Sequence, residues 1–193
     1  KIMTNKDITI VITTFKSELR IENCLNSIDS SIKTIVVENS NDKKFKEYIE
    51  KKYTNVECIL PNENLGYGKG NNVGLQKVKT KYSLILNPDT ILEKDAINNF
   101  FSFSEKNQDF AILGPDQNEN QIFIEKKKLK HLDPIEVESI KGFAMFLNMK
   151  KFKHIGFFDE NFFLYLEEID LCKRIKKIKE KIYLDPSIKI FHH

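Results

Sequence analysis

The chain has 193 residues, of which 40% are hydrophobic and 31% are charged, and this composition predicts one globular domain with a sizeable buried core. Its net charge is only +3 and its two arginines stand far apart, so it lacks the Arg- and Lys-rich stripe of a nucleic-acid-binding protein. The three cysteines form no CxxC pair, which predicts buried, reduced thiols. We find no signal peptide and no apolar run of membrane-spanning length, so we expect a cytoplasmic protein, with any membrane association peripheral and at the inner face.

The first part of the chain alternates apolar strand patterns with amphipathic helix patterns. Runs of β-branched and apolar residues predict strands at 8–13, 32–37 and 56–60. Between them, Ser17 and Asp42 are the predicted N-caps of two helices. This alternation implies right-handed crossovers between parallel strands. The predicted fold is therefore α/β, with a mainly parallel central sheet and flanking helices.

A loop rich in glycine and asparagine follows the third predicted strand. Gly66, Gly68 and Gly70 let the backbone approach a ligand closely, and a helix is predicted to begin near Lys69 or Gly70. A tight turn without a ligand is the simpler explanation, and the partial match to a dinucleotide fingerprint is a weak signal because it follows the third strand, not the first. Four neighbouring asparagines favour a polar ligand loop: Asn62, Asn64, Asn71 and Asn72.

The apolar run Tyr82–Leu86 predicts a strand buried on both faces of the sheet. Pro88 cannot donate to a sheet ladder, so the strand ends near Asn87 and presents Asp89 at its carboxyl end. A carboxylate there can hold a divalent cation or a ligand hydroxyl. The alternative is that Asp89 caps a helix that begins after Thr90.

The patterns of the next part are less regular. We predict a helix whose apolar face runs over 92–101 and a short strand at 110–113. The polar segment 116–134 predicts an irregular excursion; its run of lysines is typical of a solvated face, with contact to an anionic substrate or lipid surface as the alternative. A strand-like pattern returns at 137–149, where Gly142 marks a bulge or a close approach to a ligand.

The C-terminal part begins with an aromatic loop at 157–165, most of whose phenylalanines we expect in the core. An acidic helix follows, in which Asp170 and Arg174 have the spacing of an intrahelical ion pair. Closing strands are predicted at 182–184 and 188–191.

Short motifs occur in a fixed order over almost the whole chain, from about residue 8 to residue 192. They are Thr13-Thr14, Glu38-Asn39-Ser40, the 64–72 loop, Leu86-Asn87-Pro88-Asp89-Thr90, Gly142-Phe143-Ala144-Met145, Gly156-Phe157-Phe158-Asp159-Glu160, the stretch from Phe163 to Cys172, and a histidine after a short strand. Each motif is weak alone, but the ordered set is specific. It resembles the inverting family 2 glycosyltransferases of the GT-A fold, in particular the rhamnosyltransferase-like branch.

The resemblance implies a single GT-A (Rossmann-like) domain over 1–193. Residues 1–115 would bind a nucleotide-diphosphate sugar, and 116–193 would form a small acceptor-side, catalytic part. The implied donor-binding residues are Thr13, Thr14, Glu38, Asn39, Asn64, Gly66, Lys69, Asn71, Asn72 and Asn87.

The resemblance also implies a metal ion, Mn²⁺ or Mg²⁺, held by Asp89 and approached by His192, with His193 as the fallback ligand. Imidazole suits Mn²⁺ better than Mg²⁺. Many GT-A enzymes carry two aspartates in this motif, whereas the first position here is Asn87. Because Asn87 is neutral, we expect metal binding to depend more on the diphosphate itself.

Inverting transfer needs a base that takes the proton of the acceptor hydroxyl. With Asp170 accounted for by Arg174, Glu168 or Glu167 can supply it. Glu168 stands where the family usually has an aspartate, so the side chain is one methylene longer. The implied acceptor-side residues are Gly142, Asp159 and Tyr165.

The predicted function is therefore sugar transfer from a nucleotide donor to a glycan or lipid-linked acceptor. One alternative is a non-catalytic sugar-nucleotide or carbohydrate-binding domain of the same fold, in which the change at Glu168 has removed turnover. The other is a nucleotidyltransferase, whose Gly- and Arg-rich loop after the first strand is not found at Thr13-Thr14-Phe15.

Overall fold

A computed structural model describes residues 3–116 and 133–193 of the chain. The ten strands of this part are β1 Ile8–Thr14, β2 Lys33–Glu38, β3 Val56–Ile59, β4 Tyr82–Leu86, β5 Thr90–Leu92, β6 Ile112–Gly114, β7 Ile135–Glu136, β8 Ala144–Asn148, β9 Ile182–Leu184 and β10 Ile190–His192. Its six α-helices are α1 Glu18–Asn26, α2 Lys43–Lys52, α3 Gly66–Leu75, α4 Ala96–Lys106, α5 Met149–Ile155 and α6 Glu167–Lys177, and a short 3₁₀ helix spans Asn5–Asp7. None of these helices is long and apolar enough to cross a membrane.

Eight strands form one sheet in the order β3-β2-β1-β4-β8-β6-β9-β7. The first four are parallel neighbours, as the alternation of strands and helices predicts. β8 runs antiparallel between β4 and β6, while β6 and β9 are again parallel and β7 closes the edge antiparallel to β9. The prediction of an α/β fold with a mainly parallel central sheet is confirmed.

The central strands are buried on both faces because their side chains alternate between two apolar layers. In β1, Ile10 and Ile12 pack in the layer that holds α1, α2 and α4, whereas Val11 points into the layer of α3, α5 and α6. β4 repeats the alternation, with Leu84 in the first layer and Ile85 in the second. Each such side chain contributes roughly 1.5–3 kcal/mol through burial, so the centre of the sheet is a rigid base for the residues at its ends.

The residues after Asp89 form a strand, so the alternative that Asp89 caps a helix is wrong. Thr90–Leu92 pairs antiparallel with Ile190–His192, and α4 begins only at Ala96. The β-branched pair Thr90-Ile91 favours extended backbone, and a partner strand about 100 residues away completes the ladder. This ribbon places His192 opposite Thr90, beside Asp89.

Helix α3 begins at Gly66, earlier than predicted. Asn64 Oδ1 accepts from the Gly66 N–H at 3.1 Å, and the Phe163 carbonyl accepts from the Tyr67 N–H at 3.2 Å. Because these first-turn donors have partners, the helix can start inside the predicted loop. The glycines serve close packing between protein segments: a Cβ on Gly70 would lie 2.6 Å from Thr13 Cγ2.

Two other expectations differ from the structure. Of the four phenylalanines in the aromatic loop, only Phe158 is buried, while Phe163 is 58% exposed at the mouth of a cleft. The strand-like pattern predicted over 137–149 forms a strand only at Ala144–Asn148, because regular pairing with β4 begins at Ala144. Most of the segment 116–134, with its lysine run, lies outside the described residues. The three cysteines are buried free thiols, as predicted.

Candidate active site

A cleft of about 270 Å³ lies at the carboxyl ends of the parallel strands. Residues at the ends of β1, β2 and β4 and at the start of α3 form most of its wall, and the aromatic loop completes it. The lining residues are Thr13, Thr14, Phe15, Asn39, Asn64, Gly66, Tyr67, Asn87, Pro88, Asp89, Phe163 and Leu164. The structure thus brings six of the ten predicted donor-binding residues together with Asp89.

Three residues of this cleft carry buried polar atoms that have no hydrogen-bond partner. These atoms are Thr14 Oγ1, Asn39 Oδ1 and Asp89 Oδ1. The amide nitrogen of Asn39 is already used, because it donates to the Gly66 carbonyl at 2.9 Å. Buried polar groups in native proteins are normally paired, so three unpaired atoms around one cleft indicate a polar ligand.

Asp89 and His192 form one corner of the site. His192 Nε2 lies 3.4 Å from Asp89 Oδ1 and 3.3 Å from the Asn87 amide nitrogen. The ring is held in place by stacking on Phe143, with centroids 4.9 Å apart and planes 9° from parallel. A carboxylate oxygen of Asp89 and the Nε2 atom of His192 therefore face the same space.

This donor set fits a divalent cation only in part. Among residues 3–116 and 133–193, no group of three or more His, Cys, Asp or Glu side chains could hold a metal ion. Asp89 Oδ1 and His192 Nε2 provide two donors of the kinds that Mn²⁺ accepts. The remaining ligands of such an ion have to come from water or from the phosphate oxygens of a bound ligand. His193 takes part through its backbone, since its N–H donates to the Asp89 carbonyl at 3.1 Å.

The other four predicted donor-binding residues do not line the cleft. Both carboxylate oxygens of Glu38 accept backbone N–H groups of the turn that follows β2, from Ser40 at 2.9 Å and Asp42 at 2.7 Å. Lys69 points to the surface, 4.0 Å from Glu63.

Asn71 and Asn72 connect α3 to other elements. Asn71 Oδ1 accepts from the cleft-lining Thr13 hydroxyl at 2.9 Å and so orients it. Asn72 exchanges two hydrogen bonds with the Phe158 backbone, at 2.9 and 3.0 Å. Both asparagines are buried, and the geometry gives them supporting positions behind the cleft.

The two predicted catalytic carboxylates begin helix α6. Glu167 is 3% exposed, its Oε2 has no hydrogen-bond partner, and burial, followed by the charge of Glu168, raises its pKa. Glu168 is half-buried beside Gly142, where a Cβ would lie 3.6 Å from Glu168 Cβ. The cleft-lining Tyr67 donates its hydroxyl to the Gly142 carbonyl, and burial together with Glu168 raises the pKa of Tyr67. Tyr67 therefore links the cleft to Glu168. The ion pair predicted for Asp170 and Arg174 is present at 2.8 Å.

Two of the predicted acceptor-side residues, Asp159 and Tyr165, lie in the aromatic loop that precedes helix α6. Asp159 accepts from the Asn161 N–H at 2.9 Å and shapes the aromatic loop. Tyr165 is 75% exposed, and both Tyr165 and Leu166 have left-handed backbone conformations, with φ of +69° and +72°. Non-glycine residues in this region carry strain, which clusters at functional sites.

Sequence reasoning missed Tyr67, Phe163 and Arg20 as site residues. Arg20 Nη1 lies 3.7 Å from Asp89 Oδ2. For Tyr67, the signal in the sequence was its position between Gly66 and Gly68. For Arg20, it was the scarcity of arginine in a lysine-rich chain. No local pattern indicated that Phe163 would reach a cleft formed by the first half.

The fold is that of an α/β domain of the GT-A class. GalNAc-T7, solved with UDP, GalNAc and Mn²⁺, superposes with a TM-score of 0.77 at 12% identity, over 96% of this chain and 42% of that chain. Residues 9–172 match the family described as Glycosyl transferase family 2. The chain belongs to this family, which confirms the resemblance seen in the motifs.

Two curated relatives align over most of the chain. The low-salt glycan biosynthesis hexosyltransferase Agl10 of Haloferax volcanii is 26% identical over 193 residues, covering 89% of this chain and 62% of that protein. The rhamnosyltransferase WbbL of Escherichia coli K12 is 25% identical over 202 residues, covering 88% and 75%. The chain thus spans less than two thirds of the length of Agl10.

Proposed function

We propose that this domain is a metal-dependent inverting glycosyltransferase. It takes a sugar from a nucleotide-diphosphate donor, dTDP-rhamnose or a UDP-sugar, and transfers it to a glycan or lipid-linked acceptor in surface polysaccharide synthesis. The observation that carries the proposal is the convergence of three unpaired buried atoms, from Thr14, Asn39 and Asp89, on one cleft. The names of WbbL and Agl10 support a rhamnosyl or hexosyl donor.

The nucleoside binds between the ends of β1 and β2 in this proposal. The Thr14 hydroxyl can donate to a base or ribose oxygen, and Asn39 Oδ1 can accept from a base N–H or a ribose hydroxyl. Such bonds would satisfy groups that are otherwise buried without partners, so each is worth more than an average exposed hydrogen bond. Thr13 keeps its orientation through Asn71.

The diphosphate lies near Asp89 and His192, which would hold Mn²⁺ or Mg²⁺. A bound divalent cation supplies charge stabilisation to the nucleoside diphosphate as it leaves. The protein fixes the two ligands independently, because Asp89 follows the buried β4 while His192 arrives on β10 and stacks on Phe143.

Glu168 is the proposed base and Glu167 its buried neighbour. The raised pKa of Glu167 means that it retains a proton more readily, which reduces repulsion between the two carboxyl groups. Glu168, half-buried beside Gly142, is left to accept the proton of the acceptor hydroxyl while that oxygen attacks the anomeric carbon. The nucleoside diphosphate departs from the opposite face of the sugar, which inverts the configuration.

The acceptor side is markedly apolar at the surface. Phe163, Leu164, Tyr165 and Leu166 are each at least 50% exposed, in the segment between the cleft and α6. Exposed apolar groups of this kind mark interaction sites. They support a lipid-linked acceptor and peripheral association with a membrane surface.

Calorimetric titration tests the donor site. UDP, dTDP and GDP are titrated with and without Mn²⁺ into the wild type, Asp89→Asn and the control Asp95→Asn, which changes an exposed aspartate at the start of α4. We expect metal-dependent binding of one nucleotide, weakened at least about tenfold in Asp89→Asn because even outer-shell partners of metals contribute that much. The control should bind like the wild type. Absence of binding by all three nucleotides would refute the proposal.

Glu168→Gln tests turnover separately from binding. It should bind the nucleotide normally but lose about 100-fold or more in donor hydrolysis or transfer, as expected for a general base. Glu47→Gln, on the exposed face of α2, is the control. Unchanged turnover in Glu168→Gln would remove Glu168 from the mechanism and favour a binding domain or another base.

A further inference from the structure

We propose that Arg20 is a second cation for the diphosphate, and that it makes the site bind its metal together with the diphosphate and only weakly alone. The inference rests on the proposed function and deepens it. Arg20 Nη1 lies 3.7 Å from Asp89 Oδ2, on the opposite oxygen from the one that faces His192. The two oxygens of Asp89 therefore face different groups, and a guanidinium and a metal ion can be present together.

The position of Arg20 is built into the fold. Helix α1 buries Ile21 and Cys24 against the sheet, and Cys24 Sγ lies 3.6 Å from Thr90 Oγ1, one residue after Asp89. Ser27 at the end of α1 also accepts from the Leu92 N–H at 3.1 Å. The backbone of Arg20 is thus fixed relative to Asp89, while its side chain stays 70% exposed and able to turn towards a ligand.

The charges around Asp89 explain why we expect the metal to bind weakly alone and more tightly with the diphosphate. Asp89 contributes one negative charge, Arg20 contributes one positive charge, and Asn87 is neutral, so these three side chains have no net charge. A free divalent cation therefore meets a single carboxylate with a positive group on its other oxygen, which disfavours binding. A diphosphate adds negative charge next to both cations, so Arg20 could donate to its oxygens beside a metal ion that Asp89 and His192 would hold.

The experiment measures, in four proteins, the affinity for Mn²⁺ alone and the affinities for two diphosphate compounds at saturating Mn²⁺. Mn²⁺ alone is titrated by electron paramagnetic resonance, and inorganic pyrophosphate and UDP are titrated by calorimetry at saturating Mn²⁺. The proteins are the wild type, Arg20→Gln, Arg20→Lys and the control Lys33→Gln. Lys33 is a good control because it is an exposed cation paired with Glu57 at 2.8 Å, at the amino end of β2 and away from the cleft.

The expected result is a pair of opposite shifts in Arg20→Gln. Mn²⁺ alone should bind about three- to tenfold more tightly, because a repelling charge is lost, and pyrophosphate with Mn²⁺ should bind about three- to tenfold more weakly. Arg20→Lys should keep most of both wild-type affinities, and Lys33→Gln should change neither.

Any other pattern in Arg20→Gln overturns the inference, including shifts in the same direction or a match to Lys33→Gln. The two proposals fail separately. If no nucleotide binds to the wild type, the proposed function fails, while the Mn²⁺ and pyrophosphate titrations still decide the role of Arg20.

Discussion

Replacing Gly66 by alanine should show whether the close contact between α3 and Phe163 shapes the cleft, apart from its effect on the stability of the protein. Gly66 has a φ of +74°, which costs a non-glycine residue about 1–2 kcal/mol. A Cβ at this position would also overlap the carbonyl oxygen of Phe163, which accepts from the Tyr67 N–H. Moving that carbonyl breaks a hydrogen bond worth about 1 kcal/mol and forces a backbone shift that costs about 1–3 kcal/mol. The expected total is about 3–6 kcal/mol.

Gly156→Ala is the matched control. Gly156 has a φ of +73° and a ψ of 174°, a region in which other residues pay about 1–3 kcal/mol, and no neighbouring atom lies within 4 Å of the position that an alanine methyl group would take there. Thermal unfolding should therefore show a moderate loss for Gly156→Ala and a larger one for Gly66→Ala. For a domain of this size, each kcal/mol lowers Tm by about 2–4 °C.

Nucleotide binding distinguishes the two variants more sharply. The fraction of Gly66→Ala that remains folded should bind the nucleotide weakly, because Phe163 and Gly66 both line the cleft. Gly156→Ala should bind like the wild type. If Gly66→Ala matches Gly156→Ala in both Tm and affinity, the close approach of Phe163 to α3 is not needed for the site.

Three further changes test other parts of the site. Burial raises the pKa of Glu167 above its ordinary value of 4.5, so the folded state binds the proton more tightly than the unfolded state does. Urea unfolding across pH should therefore show the stability of the wild type falling relative to that of Glu167→Gln as pH rises above about 4.5. A stability difference that stays constant with pH would contradict this. Asn72→Ala should lower the free energy of unfolding by about 2–4 kcal/mol, because two buried backbone groups of Phe158 lose their partner. A loss of nucleotide affinity without a loss of stability would instead give Asn72 a donor-binding role. The double change Tyr165→Ser with Leu166→Asn removes exposed apolar surface, and asparagine suits the left-handed conformation at position 166. Co-sedimentation of the protein with anionic vesicles should fall several-fold. Unchanged vesicle binding would exclude this loop from a membrane contact.

Much of the fold was predictable from local patterns, because buried parallel strands have a simple sequence signature. The run Tyr82–Leu86 became β4 with the predicted bounds, and Asp42 caps α2 by accepting from the Lys44 and Phe45 N–H groups. The rule that ligands bind at the carboxyl ends of parallel strands predicted the place of Asp89, and the family resemblance predicted Thr14 and Asn39 at the same site.

The parts that could not be predicted depend on contacts between distant segments. Thr90–Leu92 is a strand because Ile190–His192 pairs with it, and α3 starts at Gly66 because a carbonyl from Phe163 meets its first turn. Such partners leave no local signal. Residue type alone also could not show that the carboxylate of Glu38 is occupied by its own turn.

Helix α3 is the element through which the two halves of the chain meet at the cleft. Its first turn receives the Phe163 carbonyl, its Tyr67 hydroxyl reaches Gly142 beside Glu168, and its Asn72 holds the Phe158 backbone. On its other side, α3 approaches β1 so closely that glycine is required at Gly70, against Thr13. Because one rigid helix sets both distances, a shift of α3 that accommodates the proposed donor at Thr13 would also move the contacts beside Glu168, the proposed base. Binding and catalysis in this domain should therefore respond together to changes in α3, even at positions that touch neither ligand.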